Sequence, residues 1–247
     1  MQNGVRRMRL LVVADLHYNL RQFDWLIRVA GRYDTVVVAG DLLDIAGHVD
    51  LDTQIVVIAK YLAKLRAVVP LIVCSGNHDI DTSNAAGERV AVWMQDLRDD
   101  GIRVDGEHVV LPRGLVSICS YWDGPVTREA VAAFIGEAER PVDDGCWIWI
   151  HHMPPADSPV SWNGRGHAGD PFLSDLITQH RPDLVVSGHV HDSPFRRGGS
   201  WIDRIDGTWV FNPGRQLGEL PTFIEIDLAA RTATWMSLDG SEDRTLA

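Results

Sequence analysis

The sequence is poor in cysteine and has no long apolar segment. Its three cysteines are an odd number, which excludes a complete disulfide framework and is typical of buried thiols in a reducing compartment. Arg6, Arg7 and Arg9 precede an apolar run at 10–14 that is only five residues long, too short for a signal peptide or a transmembrane helix. We therefore expect a cytoplasmic protein with no membrane partner.

Basic residues are also scarce relative to acidic ones. The chain carries 34 acidic and 23 basic residues, a formal net charge of -11, so its mean field repels polyanions and disfavours non-specific nucleic-acid binding. Bound divalent cations could reverse that sign within a pocket. With 247 residues, 45% of them hydrophobic, and no internal repeat, low-complexity tract or linker, residues 1–247 are expected to form a single domain.

The hydrophobic pattern predicts an α/β fold. Buried strands are predicted at 10–14, 35–39 and 71–74, separated by segments whose apolar residues recur at helical spacing, and this βαβαβ rhythm is typical of α/β proteins. Further along the chain we expect several more elements. Helices are predicted at about 88–98, at 131–138 and at 171–180 after the cap Asp170; strands at 109–111, 115–118, 147–150 and 184–187; and two hairpins, 201–211 around Asp206-Gly207 and 223–238.

A polar cluster follows each of five predicted strands. The clusters read DLHYN at 15–19, GDLLD at 40–44, GNHD at 76–79, HHMPP at 151–155 and GHVH at 188–191. Because ligand sites in open α/β sheets gather at the carboxyl ends of the strands, the five clusters are expected to converge on one rim.

The residue types in these clusters indicate a metal site. Four imidazoles, two carboxylates and one amide, without sulfur, suit Mn, Fe, Zn, Ni or Co rather than Ca or a structural zinc. Seven ligands exceed one tetrahedral shell but suffice for two ions that share a carboxylate, an arrangement that can clamp both oxygens of an in-line displacement. The seven candidate ligands are Asp15, His17, Asp41, Asn77, His151, His189 and His191.

Between residues 15 and 191, the ordered motifs D-x-H, GD-x-x-D, GNH-D, a histidine after a strand, and GH-x-H resemble the calcineurin-like metallophosphoesterase family. The resemblance implies a four-layer α/β/β/α sandwich of two packed mixed sheets flanked by helices. It assigns Asp15, His17, Asp41 and His191 to one ion, and Asp41, Asn77, His151 and His189 to the other, with Asp41 as the bridge.

The register of HHMPP leaves one ligand open between His151 and His152. In related chains the ligand histidine directly follows the strand, so we expect His151. The resemblance also implies that His78 is a catalytic histidine outside the metal shells, and that Asp44 orients it and favours its protonated form.

Departures from the family pattern restrict the substrate. Ile45 stands where serine/threonine protein phosphatases carry arginine, and His78 stands where a branch that cleaves a lipid A precursor pyrophosphate usually has arginine, so both activities are disfavoured. The 211–215 segment, FNPGR, resembles the NPGS turn of small bacterial phosphodiesterases, with Arg215 in place of serine. Arg165, in a long segment before Asp170, is a second candidate for binding phosphate oxygens.

We therefore expect hydrolysis of a phosphodiester or phosphomonoester by a hydroxide activated by two divalent metal ions. A small phosphodiester, including a cyclic nucleotide, is the favoured substrate. A nuclease of the same family is an alternative that the acidic charge disfavours, and a non-catalytic interaction scaffold is the other. The sequence leaves the native metals and the oligomeric state open.

Overall fold

The computed structural model describes residues 7–141 and 145–247, so Arg6 lies outside the described residues. Among the described residues, no helix combines the length and apolar character needed to cross a membrane.

The helices are α1 Leu20–Val29, α2 Leu51–Arg66, α3 Trp93–Asp96, α4 Pro125–Gly136 and α5 Pro171–His180. The strands are β1 Arg9–Val13, β2 Thr35–Ala39, β3 Leu71–Cys74, β4 Thr82–Ser83, β5 Arg89–Val90, β6 Glu107–Leu111, β7 Gly114–Ile118, β8 Cys146–Ile150, β9 Leu184–Val186, β10 Ile202–Ile205, β11 Thr208–Phe211, β12 Phe223–Asp227, β13 Thr232–Ser237 and β14 Gly240–Thr245.

Two six-stranded mixed sheets form the centre of the fold. The first has the order β14-β13-β12-β1-β2-β3, with β1, β2 and β3 parallel and β12 antiparallel to β1. The second has the order β10-β11-β9-β8-β7-β6, with parallel β7, β8, β9 and β11 between antiparallel edge strands. The hairpin of β4 and β5 is a separate small sheet.

Strand alternation divides the apolar residues into three buried layers. Leu10 and Val12 of β1 and Ile148 and Ile150 of β8 lie in the core between the two sheets. The opposite face of the first sheet packs on α1, α2 and α3, and that of the second on α4 and α5. This arrangement confirms the expected α/β/β/α sandwich.

Local sequence signals correctly predicted the start of α5 and the turn between β10 and β11. The Asp170 carboxylate accepts a hydrogen bond from the N–H of Phe172 at 2.8 Å, and Pro171 opens α5, because proline lacks the N–H that a first helical turn leaves unpaired. Asp206 and Gly207, with φ of 47° and 95°, form the tight turn between β10 and β11.

The helix predicted at about 88–98 is wrong over its first half. Arg89–Val90 pair with Thr82–Ser83 as β5 and β4, and the helix is confined to Trp93–Asp96. Glu88 is drawn away from helical geometry because its carboxylate accepts hydrogen bonds from the N–H groups of Val126 and Thr127 at the start of α4. Strand β14 was not among the expected elements.

Candidate metal centre

The polar clusters that follow β1, β2, β3, β8 and β9 meet at the carboxyl ends of the strands, at the junction of the two sheets. The backbone bends sharply there to aim the side chains inward. Asp15, His17, Asp41 and His189 have positive φ, of 56°, 42°, 54° and 68°, a region that non-glycine residues seldom occupy. Such strain persists only where surrounding contacts enforce it, and it concentrates at functional sites.

One group of donors contains Asp15, His17, Asp41 and His191, whose candidate ligand atoms all lie within 4.8 Å of one another. The His17 Nε2 atom is 2.9 Å from His191 Nε2 and 3.6 Å from Asp41 Oδ2. The His191 Nε2 atom is 3.3 Å from Asp15 Oδ1. These are the residues that the sequence assigns to a first ion.

A second group contains Asp41, His152 and His189. The His152 Nε2 atom lies 3.2 Å from Asp41 Oδ2, and the Asn77 side-chain oxygen lies 2.8 Å from His189 Nδ1. Asp41 therefore belongs to both groups, which is the position that the bridging role requires.

The structure differs from the expected register at HHMPP, because His152 and not His151 joins the second group. Side chains alternate along β8 and its extension, so His151 continues the face of Trp147 and Trp149 toward α4 and α5. His152 continues the face of Ile150 into the junction between the sheets. On the side of α4 and α5, the buried His151 ring stacks on Trp122, with ring centroids 3.9 Å apart.

The surroundings of His152 fit a metal ligand. Its Nδ1–H donates to the carbonyl of Ala39 at 2.8 Å, while its buried Nε2 has no hydrogen-bond partner among the described residues and faces Asp41 and Asp15. A hydrogen bond to one imidazole nitrogen fixes the tautomer that leaves the other free to coordinate. The mixed nitrogen and oxygen donor set suits divalent transition metals.

The electrostatics of the centre also fit a cation. Burial opposes the charge of Asp15, but hydrogen bonds with His17 and His191 hold the pKa of its carboxyl far below the usual range. Burial likewise opposes protonation of His152, yet the carboxylates of Asp41 and Asp15 raise its pKa to about 10. Buried carboxylates thus hold positive charge at this point, as they would hold metal ions.

Two glycines allow ligand side chains to lie against the backbone. A Cβ at Gly40, whose φ is 86°, would collide with the ring of His152, and a Cβ at Gly76 would collide with the carboxylate of Asp41. The glycines that begin GDLLD and GNHD are therefore needed for close packing around the candidate ligands.

His78 lies beside the first group without belonging to it. Its ring meets that of His17 edge-on, with centroids 4.4 Å apart. The N–H of Ile45 donates to His78 Nδ1 at 3.2 Å, and the nearer carboxylate oxygen of Asp44 is 3.8 Å from the same nitrogen. Burial lowers the pKa of His78, while the charges of Asp41 and Asp44 act in the opposite direction. When the ring is neutral, Nδ1 accepts the N–H of Ile45 and the proton is on Nε2, so the backbone of Ile45 contributes more directly than Asp44 to the tautomer.

The sequence predicted no role for Asp79 in the site, but its carboxylate holds together the loops that follow β2 and β3. One oxygen of its buried carboxylate accepts the N–H groups of Leu42 and Leu43 at 2.8 and 2.9 Å, and the other accepts that of Gly76 at 2.8 Å. Burial and the nearby charge of Asp41 raise the pKa of Asp79 to about 8. Its place directly after GNH was the available signal for this positioning role.

Neither of the two candidate arginines is hydrogen-bonded through its guanidinium to a candidate metal ligand within the described part of the chain. Arg165 is in an exposed turn, where Asn163 accepts its backbone N–H. A cavity of about 200 Å³ lies next to this turn and is lined by Asn163, His189 and His191. The backbone N–H of Arg215 donates to the carbonyl of His191 at 2.9 Å. The backbone of Arg215 is therefore bonded to one candidate ligand, and the turn that contains Arg165 borders a cavity lined by two of them.

The sequence profile of the calcineurin-like phosphoesterase family matches residues 8–193. The chain belongs to this family. As a calcineurin-like phosphoesterase it shares its fold with TT1561 of Thermus thermophilus, with a TM-score of 0.58 and 14% identity over 98% of this chain and 100% of the other. It is also similar to the purple acid phosphatase PPD1 from yellow lupin (Lupinus luteus) seeds, with a TM-score of 0.55 and 12% identity over 98% of this chain and 52% of that one. No curated protein sequence matches this chain.

Proposed function

We propose that this calcineurin-like phosphoesterase hydrolyses a small phosphodiester or a phosphomonoester with the help of two divalent transition-metal ions. The observation that carries the proposal is the pair of donor groups that share Asp41. Asp15, His17, Asp41 and His191 would hold one ion. Asp41, Asn77, His152 and His189 would hold the other. When bound, the two ions supply Lewis acidity to the phosphoryl oxygens and lower the pKa of water.

The protein's own part in the reaction is to position these donors and to move a proton. His78 carries a proton on Nε2, because its Nδ1 accepts the N–H of Ile45. It lies against the ring of His17, within reach of a phosphoester seated at the first donor group. We infer that His78, once protonated at Nδ1 beside the Asp44 carboxylate, donates its Nε2 proton to the departing alkoxide, which leaves a neutral imidazole that recovers a proton from solvent.

Substrate binding is proposed to use the surface around the 163–166 turn. Its cavity of about 200 Å³ opens directly on His189 and His191, so a phosphoester bound there would lie next to two candidate ligands. Arg165 and Arg215 would stabilise non-bridging phosphate oxygens. The net charge of -11 favours a small ester over a nucleic acid, and retention of the complete donor set argues against a purely structural scaffold.

The test is a panel of chromogenic mono- and diesters assayed with the chelated protein after addition of Mn, Fe, Zn, Ni or Co. At least one ester should be hydrolysed in a metal-dependent manner. Asp41→Asn, which weakens both donor groups at once, should abolish turnover and lower metal content, whereas the matched change at exposed Asp99 should alter neither. Full activity of the chelated protein, or of Asp41→Asn, would contradict the two-metal proposal.

A further inference from the structure

A second cavity, of about 350 Å³, lies beside the candidate metal centre, between the β4–β5 hairpin, α3 and α4. Its walls are mostly apolar and include Val90, Val92, Val131 and Phe134, while Asp105 and Thr127 supply polar atoms. Val92 is 50% exposed at this cavity. A preformed apolar cavity with a few polar groups is the usual form of a small-molecule site, and neither the catalytic residues nor the sheet core uses this one.

The cavity adjoins the second donor group. Ser75, which lines it, is two residues before Asn77. Tyr121 lines it as well, and the Tyr121 ring centroid is 6.3 Å from that of His152. The Oγ of Ser75 accepts the N–H of Tyr121 at 2.9 Å, so these two residues fix the boundary between cavity and metal centre. The Tyr121 ring is therefore close to both the apolar walls and the candidate ligand His152.

The hairpin that borders the cavity is fastened to α4. The buried Glu88 carboxylate accepts the N–H groups of Val126 and Thr127 at 2.8 and 2.7 Å. The neighbouring Arg89 forms an ion pair with Asp123 at 3.3 Å. Because these contacts hold the hairpin against the start of α4, the cavity is preformed. Ligand binding would then require no free energy to open it.

We propose that this cavity binds a planar apolar ring carried by one ester group of the substrate, while the phosphate is at the metal centre. The inference rests on the proposed phosphoesterase function. The apolar walls would favour an aryl-sized group over a methyl group, and the boundary at Ser75 and Tyr121 would set its distance from phosphorus. Asp105, whose carboxylate accepts the N–H of Ser75 at 3.0 Å, keeps this boundary in place.

The test compares two diesters with the same leaving group, bis(p-nitrophenyl) phosphate and methyl p-nitrophenyl phosphate. Ala130, an exposed residue of α4 that lines the cavity, is changed to Phe so that the added ring occupies the space. Ala130→Phe should lower kcat/KM for the aryl diester about tenfold, the effect of losing the apolar contacts of one ring, and leave the methyl diester unchanged. Ala133→Phe, on an exposed α4 position outside the cavity, should leave both unchanged.

Binding of phenylphosphonate and methylphosphonate to the metal-loaded protein, measured by calorimetry, gives a readout independent of turnover. The wild-type protein should prefer phenylphosphonate, and Ala130→Phe should lose that preference. Equal effects on both diesters, or no binding preference in the wild-type protein, would overturn the cavity assignment even if hydrolysis is observed. A ring preference without hydrolysis of any ester would instead uphold the cavity and refute the proposed activity.

Discussion

Separate substitutions of two adjacent histidines, His151 and His152, give the most specific test of the candidate metal centre. His152→Ala removes a buried imidazole whose free Nε2 is 3.2 Å from Asp41 Oδ2. His151→Phe changes the preceding residue, whose ring nitrogens have no hydrogen-bond partner within the described residues and whose pKa burial lowers to about 3. The first change should empty one metal site, and the second should leave both intact.

The expected magnitudes follow from these contacts. Loss of a residue that supports a metal ligand typically costs 10–100-fold in affinity, so loss of the ligand His152 should cost at least about 100-fold, or about 2.7 kcal/mol. His151→Phe keeps a ring stacked on Trp122 and removes only unpaired nitrogens. Its free energy of unfolding should change by less than about 1.5 kcal/mol.

The chelated proteins give a second magnitude. Without metal, the cationic form of His152 compensates the buried carboxylates of Asp15 and Asp41, and its removal should destabilise the fold by about 3 to 5 kcal/mol at neutral pH. The pKa of His152 is raised to about 10 in the folded chain, against about 6.5 when unfolded. The contribution is therefore fully present below about pH 6.5 and lost as pH rises through about 10.

Metal stoichiometry after reconstitution, titrations that yield dissociation constants, and denaturant unfolding in chelator between pH 6 and 10 measure all three quantities. The stability difference between the wild-type protein and His152→Ala should narrow as pH rises. Two retained ions in His152→Ala together with loss of one ion in His151→Phe would refute the geometry and restore the register expected from the sequence.

Further variants test other parts of the site. His78→Ala should keep both ions but lose about 10² to 10⁴ in turnover, with a loss that grows along a series of esters of rising leaving-group pKa; Asp44→Asn should act in the same direction but less, and equal losses along the series would reject a general acid. Gly40→Ala should lower metal content, because its methyl group would occupy the space of the His152 ring, and metal analysis checks this. Burial raises the pKa of Asp105 to about 6. Between about pH 4 and 6 this carboxyl is therefore protonated in the folded chain and ionised in the unfolded chain. The free energy of unfolding should fall as pH rises through that range. Asp105→Asn should therefore be up to about 3 kcal/mol more stable than the wild-type protein above pH 6 and no more stable below pH 4, as measured by denaturant unfolding; no change in pH dependence would contradict the buried carboxylate.

Several features were predictable because their signals are local. Runs of branched apolar residues such as 35–39 indicate strands buried on both faces, and Asp170 followed by Pro171 starts a helix through its own side chain and ring. The segment from 88 to 98 was not predictable in the same way. Its helical spacing is real, but the carboxylate of Glu88 is bound by N–H groups 38 and 39 residues away, and no local pattern reports such a contact.

The sequence by itself determined the order of the strands along the chain, the donors that follow them and hence the class of metal site, since each depends on residue type and short spacing. The tertiary structure decided which histidine after β8 faces the site. All five residues of β8 are buried, so neither face is marked by polarity, and alternation alone cannot say which face meets the other sheet. β8 has the other sheet on one face and α4 and α5 on the other. Only this packing directs His152 toward Asp41 and leaves His151 stacked on Trp122.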